Sequence, residues 1–294
     1  MIFLVLCILI NSYISVIFKL FENYGVNTLP AIILNYPVTI ITASIMLGNA
    51  AITKATFNEP WIWAAMILGF CFVTTFNLFA LTVQKFSVVT GSIFQKMSLI
   101  APVIVAILIF DEGINLMKII GIACAIIAIF LITMSNKSTS DNNGEQSSIP
   151  LLYWLYPIGT FIGSCMIDTG LYYVNEIGLA DSADIDFVAS IFFFAGIFGS
   201  LLLLSRIKEK TSKIRGKEFI ASLALGIPNF FSIWLILKIL TIGIDASVVF
   251  PINNTGILVV SAILGLVFFK ESVNKQKVIG FISAIIAIVL IAIA

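Results

Sequence analysis

Ten predominantly apolar stretches follow one another along the chain, at approximately 1–21, 29–48, 61–82, 88–110, 116–134, 150–174, 187–205, 218–240, 246–269 and 275–294. Each is close to the length of about 20 residues that a helix needs to cross a bilayer. Charges, Pro, Gly and Asn cluster in the short connections, and no strand pattern interrupts the runs. Lipid offers no hydrogen-bond partners, so a backbone crossing it must satisfy its own polar groups, and a helix does this within a single segment. At 60% hydrophobic and 11% charged residues, with a mean hydropathy of +1.13, the chain lies outside the range of soluble domains. The expectation is an all-α integral membrane protein of ten transmembrane helices, multi-pass in the cell (plasma or inner) membrane. Almost nothing is left over for a soluble catalytic or nucleic-acid-binding domain, and a net charge of +1 suggests no polyanionic partner. The start, Met1-Ile2-Phe3-Leu4, has no basic n-region and reads as the first span rather than a cleaved signal. Leu6 before Cys7 is not the small residue that a lipoprotein signal requires.

The chain also repeats itself. Asp111-Glu112, Gly121 and Ala125-Ile126-Ile127-Ala128-Ile129 return as Lys270-Glu271, Gly280 and Ala284-Ile285-Ile286-Ala287-Ile288 at a constant offset of 159 residues. Asn11, Ser15, Lys19 and Glu22 correspond to Ser164, Asp168, Tyr172 and Asn175 at an offset of 153, which places one polar stripe on a helix in each half. The boundaries read as a five-helix unit over 1–134, a Ser/Asn/Asp/Gly-rich connector over 135–149 and a second five-helix unit over 150–294. Five is odd, so the second unit enters the bilayer upside down, giving two inverted repeats around a central cavity.

Absences narrow the chemistry. The chain has no histidine, which removes Ser-His-Asp hydrolysis, His-rich metal sites and His-ligated haem. Cys7, Cys71, Cys124 and Cys165 stand singly in separate spans, without the close pairing of a zinc site or redox dithiol. No glycine-rich phosphate loop follows a strand. No metal, cofactor or nucleic acid is implied.

A span ending at Asp111-Glu112, then Gly121 and a small-residue helix to Ile132, duplicated at Glu271 and Gly280, resembles the EamA domain of the drug/metabolite transporter superfamily. The resemblance covers essentially the whole chain as two copies. It implies a ten-helix transporter with a central cavity lined mainly by helices 1, 3, 4, 6, 8 and 9, which exports or exchanges amino acids, drugs, nucleotide sugars or other small metabolites. Asn11-Ser12 stands where such proteins commonly carry a tryptophan-glycine pair.

Reading the residues alone leads to a similar cavity, because polar atoms inside spans must avoid lipid. Helix 4 carries Ser92, Gln95 and Lys96 on one arc, and helix 9 carries Asn253, Asn254 and Thr255. Helix 3 has Thr74, Thr75 and Asn77, and helix 8 has Asn229, Ser232 and Trp234. Candidate solute-binding residues are therefore Asn11, Lys19, Asn77, Gln95, Lys96, Asp168, Tyr172, Asn229, Trp234, Asn253 and Asn254. Lys96 and Asp168 would each cost roughly 2.5–3.5 kcal/mol at a lipid-facing helix centre, so both are expected to face inward. Asp168 is the candidate for proton coupling, facing Lys96 across the cavity; the alternatives are a satisfied structural pair, or Lys96 stretching to an interface. Lys19 is either a second cation for substrate or a side chain reaching towards headgroups. Glu112 and Glu271 read as structural, each at a boundary where a carboxylate favours a helix start. Helices 5 and 10 carry Gly121, Ala125, Ala128 and Gly280, Ala284, Ala287, spacing that suits close packing of the two against each other.

Loops after odd-numbered helices hold Lys85, Lys137, the cluster Arg206 to Lys217, Lys270, Lys275 and Lys277. The positive-inside rule would place that side in the cytoplasm and both termini outside, whereas the resemblance implies cytoplasmic termini. The function expected is secondary active transport, by export or exchange, of a small polar or amphipathic solute, without enzymatic chemistry. The alternatives are a passive channel and a membrane enzyme acting on a lipid-borne substrate. The partners implied are the solute and the bilayer.

Overall fold

Proline explains the largest departure from ten unbroken spans. The computed structural model describes residues 2–109, 116–135, 150–180, 184–205, 214–241, 246–270 and 274–293, and over these it is helical without strands. The helices are α1 (Ile2–Asn23), α2 (Thr28–Leu47), α3 (Ile62–Lys85), α4 (Val88–Lys96), α5 (Ile100–Ile109), α6 (Leu116–Ser135), α7 (Leu155–Glu176), α8 (Ile185–Ser205), α9 (Gly216–Thr241), α10 (Ala246–Phe269) and α11 (Lys275–Ala292). The fourth apolar stretch is thus two helices joined by a 3-10 turn, Met97–Leu99. Pro102, near the start of α5, has no N–H to give the Ser98 carbonyl, and its ring crowds that carbonyl, which favours a break in the regular helix at the joint.

Local signals set the other ends. The Ser87 hydroxyl caps α4 by accepting from Thr90 N at 2.9 Å, and the Asn274 side chain caps α11 by accepting from Lys277 N at 2.9 Å. Gly48 closes α2 at φ +70°, the left-handed conformation that glycine takes at least cost. Among the described residues, five helices are long and apolar enough to cross a membrane: α1, α2, α3, α8 and the Gly216–Leu235 stretch of α9.

The surface is apolar while much of the interior is polar. Ile45 and Leu108 are 74% exposed and Phe268 69%, whereas Asn35, Ser12, Ser222 and Glu218 have no exposed surface. That inversion suits a hydrocarbon solvent, in which exposed apolar side chains cost nothing and polar ones must be satisfied inside. Helix association then rests on close packing and interhelical hydrogen bonds. Phe18 packs edge-on against Phe76 and Phe79 where α1 meets α3.

Helix α6 packs along α11. Ala128, Ala284 and Ala287 are fully buried there, and the Ser283 hydroxyl donates to Cys124 O at 2.8 Å. Elsewhere α2 packs on α8 and α9, and α3 on α7 and α8. α1 packs on α9 and α10, α7 on α4 and α5, and α4 on α10.

Further polar contacts tie residues before 134 to residues after 150. Between α2 and α9, Asn229 donates to Asn35 Oδ1 at 3.0 Å and the Thr39 hydroxyl lies 3.3 Å from Gly226 O. A Cβ on Gly226 would sit 2.8 Å from Asn35 O, so only glycine permits this approach. At the end of the bundle where α2 and α9 begin, the buried Glu218 carboxylate accepts from Asn27 N at 2.9 Å and from Arg215 N at 2.8 Å. Lys217 there donates to the Gly25 carbonyl.

Candidate functional site

The joint in the fourth span gathers the charged side chains. Lys96 ends α4, and Ser98 lies in the 3-10 turn that follows. Helix α7 packs against α4, the turn and α5, which brings Asp168 to Ser98: the hydroxyl contacts Asp168 Oδ2 and also Gln95 O at 2.6 Å. Lys96 is close enough for its charge to interact with Asp168 and with the Cys7 thiol on α1. It does not pair with Asp168, whereas Lys19 pairs with Glu22 at 2.8 Å. Lys96 and Asp168 are both half-buried, so each retains a face towards accessible space. A cation and an anion held near one another without direct contact can each take a complementary group of a third molecule.

Around them the polar side chains differ in how far the protein satisfies them. Asn11 donates to Cys7 O at 2.9 Å, and Cys7 donates in turn to Ser232 O at 3.3 Å on α9. Gln95 and Asn254 are half-buried, and Tyr172 lies one turn beyond Asp168 on α7. Asn253 is 3% exposed, and its Oδ1 has no hydrogen-bond partner among the described residues; the same holds for Ser92 Oγ on α4 and Ser12 Oγ on α1. Leaving a polar group buried and unpaired costs about 1–3 kcal/mol. These atoms lie on three helices, α1, α4 and α10, that pack on one another. Beside Asp168, Cys165 also borders a groove of about 500 Å³ between α5 and α7, lined by Val105, Phe161, Met166, Thr169 and Tyr173.

Other candidates lie elsewhere. Lys19 is occupied by Glu22 and by Gln84 O at 2.9 Å, near the end of α1. Asn77 turns back on its own helix, donating to Val73 O at 2.7 Å. Asn229 belongs to the α2–α9 contact. Trp234 packs against Phe231 and borders a cavity of about 10 Å³ between α2, α8 and α9, with Phe192 and Phe230. Glu112 and Glu271 lie outside the described residues. Sequence reasoning missed Ser98, although Pro102 four residues later marked the disturbance that turns it towards Asp168.

Comparison with known proteins agrees with this architecture. An uncharacterized protein of Haemophilus influenzae is 28% identical over 294 residues, covering 97% of this chain and 95% of that relative. A solved crystal structure superposes with a TM-score of 0.53 at 16% identity, over 97% of this chain and 95% of its own, a likeness of fold. The model of the EamA-like transporter family matches residues 156–293. Residues 156–293 are thus similar to an EamA-like transporter family domain.

Proposed function

We propose that the chain is a secondary transporter that moves a small polar or amphipathic solute across the cell membrane by alternating access. The family supplies the coarser part, a membrane transporter of the drug/metabolite type. The observation that carries the finer part is the half-buried Asp168 and Lys96, held apart at a break in the fourth span. Broken helices near the bilayer midplane are where such transporters place their binding sites. Asn11, Gln95, Tyr172, Asn253 and Asn254 complete the solute site in this reading, and Asp168 carries the coupled proton.

The reading takes residues 1–134 and 150–294 as inverted five-helix repeats joined by 135–149, with ten spans. In support, exchanging the first five spans for the last five turns the α2–α9 packing into α3–α8 and α1–α9 into α3–α7. It turns α1–α10 into the packing of α4 and α5 on α7, and leaves α2–α8 and α6–α11 as they are. Alternating access, by export or exchange, is then a rocking of one repeat against the other about the site. The test is flux of a labelled panel of amino acids, nucleosides, sugars and cationic dyes into liposomes carrying the purified protein. Saturable flux is expected for at least one class, whereas flux that rises linearly with solute concentration would indicate a channel and refute the proposal.

A further inference from the structure

Ser98 has one hydroxyl proton and two acceptors in reach, the Gln95 carbonyl at 2.6 Å on the last turn of α4 and the Asp168 carboxyl on α7. An ionised carboxylate only accepts hydrogen bonds, whereas a protonated carboxyl also donates one. With Asp168 ionised, Ser98 turns its proton to the carboxylate and the Gln95 carbonyl loses the bond. With Asp168 protonated, its O–H donates to Ser98 Oγ, and Ser98 donates onward to Gln95 O. The direction of this short chain therefore reverses with one proton.

It reverses at a joint where the regular helical ladder is interrupted. The 3-10 turn Met97–Leu99 joins α4 to α5, and Pro102 deprives the Ser98 carbonyl of a ladder donor. The Ser98–Gln95 bond is a side-chain brace across that joint. We propose that Ser98 is a positioning residue that transmits the protonation of Asp168 to the α4–α5 joint, so that the bend in the fourth span follows the proton. The inference rests on the reading of Asp168 as the coupling group.

The titratable groups around Asp168 are few. Lys96 faces it from α4, with Cys7 of α1 beside Lys96; Cys165, Tyr172 and Tyr173 lie on its own helix, and Tyr153 lies in the Leu151–Trp154 turn that packs on that helix. Helix α3, also packed on α7, carries Cys71 and, in its last turn, Lys85; α5 and the 3-10 turn carry none. A neutral hydroxyl thus links the backbone break to the carboxyl by hydrogen bonds, and Lys96 beside the turn interacts with the same carboxyl through its charge.

The test needs no solute. Infrared difference spectra of the protein in nanodiscs, recorded against pH, identify the Asp168 carboxyl band as the one lost in Asp168→Asn. Spin labels at Val89→Cys on α4 and Leu108→Cys on α5, with the four native cysteines replaced by alanine, report the distance across the joint. The expected result is a distance change that follows the Asp168 band in wild type and Ser98→Thr, and a loss of that change in Ser98→Ala while the band still titrates. Ser98→Gly reads the same way should the alanine variant fail to fold. An unchanged distance response in Ser98→Ala, or a wild-type distance that ignores the band, overturns the relay and leaves the transporter reading standing. A carboxyl band that never changes overturns the coupling role of Asp168, and the relay with it.

Discussion

Removing the Glu218 side chain should loosen the attachment between the two halves of the chain at one end of the bundle. The carboxylate has no exposed surface and accepts from two backbone donors, Asn27 N at 2.9 Å and Arg215 N at 2.8 Å. A hydrogen bond to a charged group contributes about 1.5–3 kcal/mol, and a neutral exchange with water about 0.5–1.5. Arg215 is exposed, so water replaces the carboxylate there at the smaller loss, while the half-buried Asn27 suffers the larger. Glu218→Ala should therefore destabilise the protein by about 2–4 kcal/mol. Glu218→Gln keeps one accepting oxygen but points an amide donor at the other N–H, and should lose about half as much. Lys217→Ala is the internal control. Its ammonium is exposed and binds a carbonyl that water reaches, so its loss should stay below about 1 kcal/mol. Unfolding titrations in mixed micelles would rank the three variants. Equal stability of Glu218→Ala and wild type, within 0.5 kcal/mol as the order of one weak surface contact, would refute the assignment of Glu218 as a tie between halves.

Three further outcomes follow from the geometry. Asn229→Ala should cost about 0.6–1.5 kcal/mol by unfolding titration and leave flux unchanged, because Asn35 Oδ1 keeps the Thr39 hydroxyl at 3.2 Å. Ala128→Leu, at a fully buried position facing α11, should destabilise by about 1–3 kcal/mol through overpacking, measured in the same way. Lys96→Met should lower liposome flux about tenfold, the equivalent of one charge-assisted contact of ~1.4 kcal/mol, without matching loss of stability.

What could be read from the sequence divides along a physical line. Apolar runs record the hydrocarbon directly, so helix positions were legible to within a few residues, from Ile2–Asn23 to Lys275–Ala292. The small residues of α6 and α11 were legible for a related reason: Gly121, Ala125, Gly280 and Ala284 repeat on one helical face, and lipid has little use for such a face. Intramembrane charge marked Lys96 and Asp168, since neither is tolerated against lipid. The rotation of a helix about its axis is set by its neighbours, and polar side chains look alike whichever way they turn. Asn229, which binds Asn35, and Asn77, which binds its own backbone, were therefore indistinguishable from cavity residues. Ser98 was hidden differently. On a regular helix it falls off the arc of Ser92, Gln95 and Lys96, and the 3-10 turn before Pro102 brings it round to Asp168. Glu218 lay at a span boundary, where a carboxylate reads as a helix-end charge, and its reach to Asn27 spans 191 residues.

The central claim is that Asp168 couples solute movement to protons, and the most direct measurement is flux into proteoliposomes with and without an imposed pH gradient, for wild type and Asp168→Asn. The account predicts saturable flux that the gradient accelerates in wild type and leaves unaffected in the variant. Flux that responds equally to the gradient in both proteins, or in neither, would contradict it.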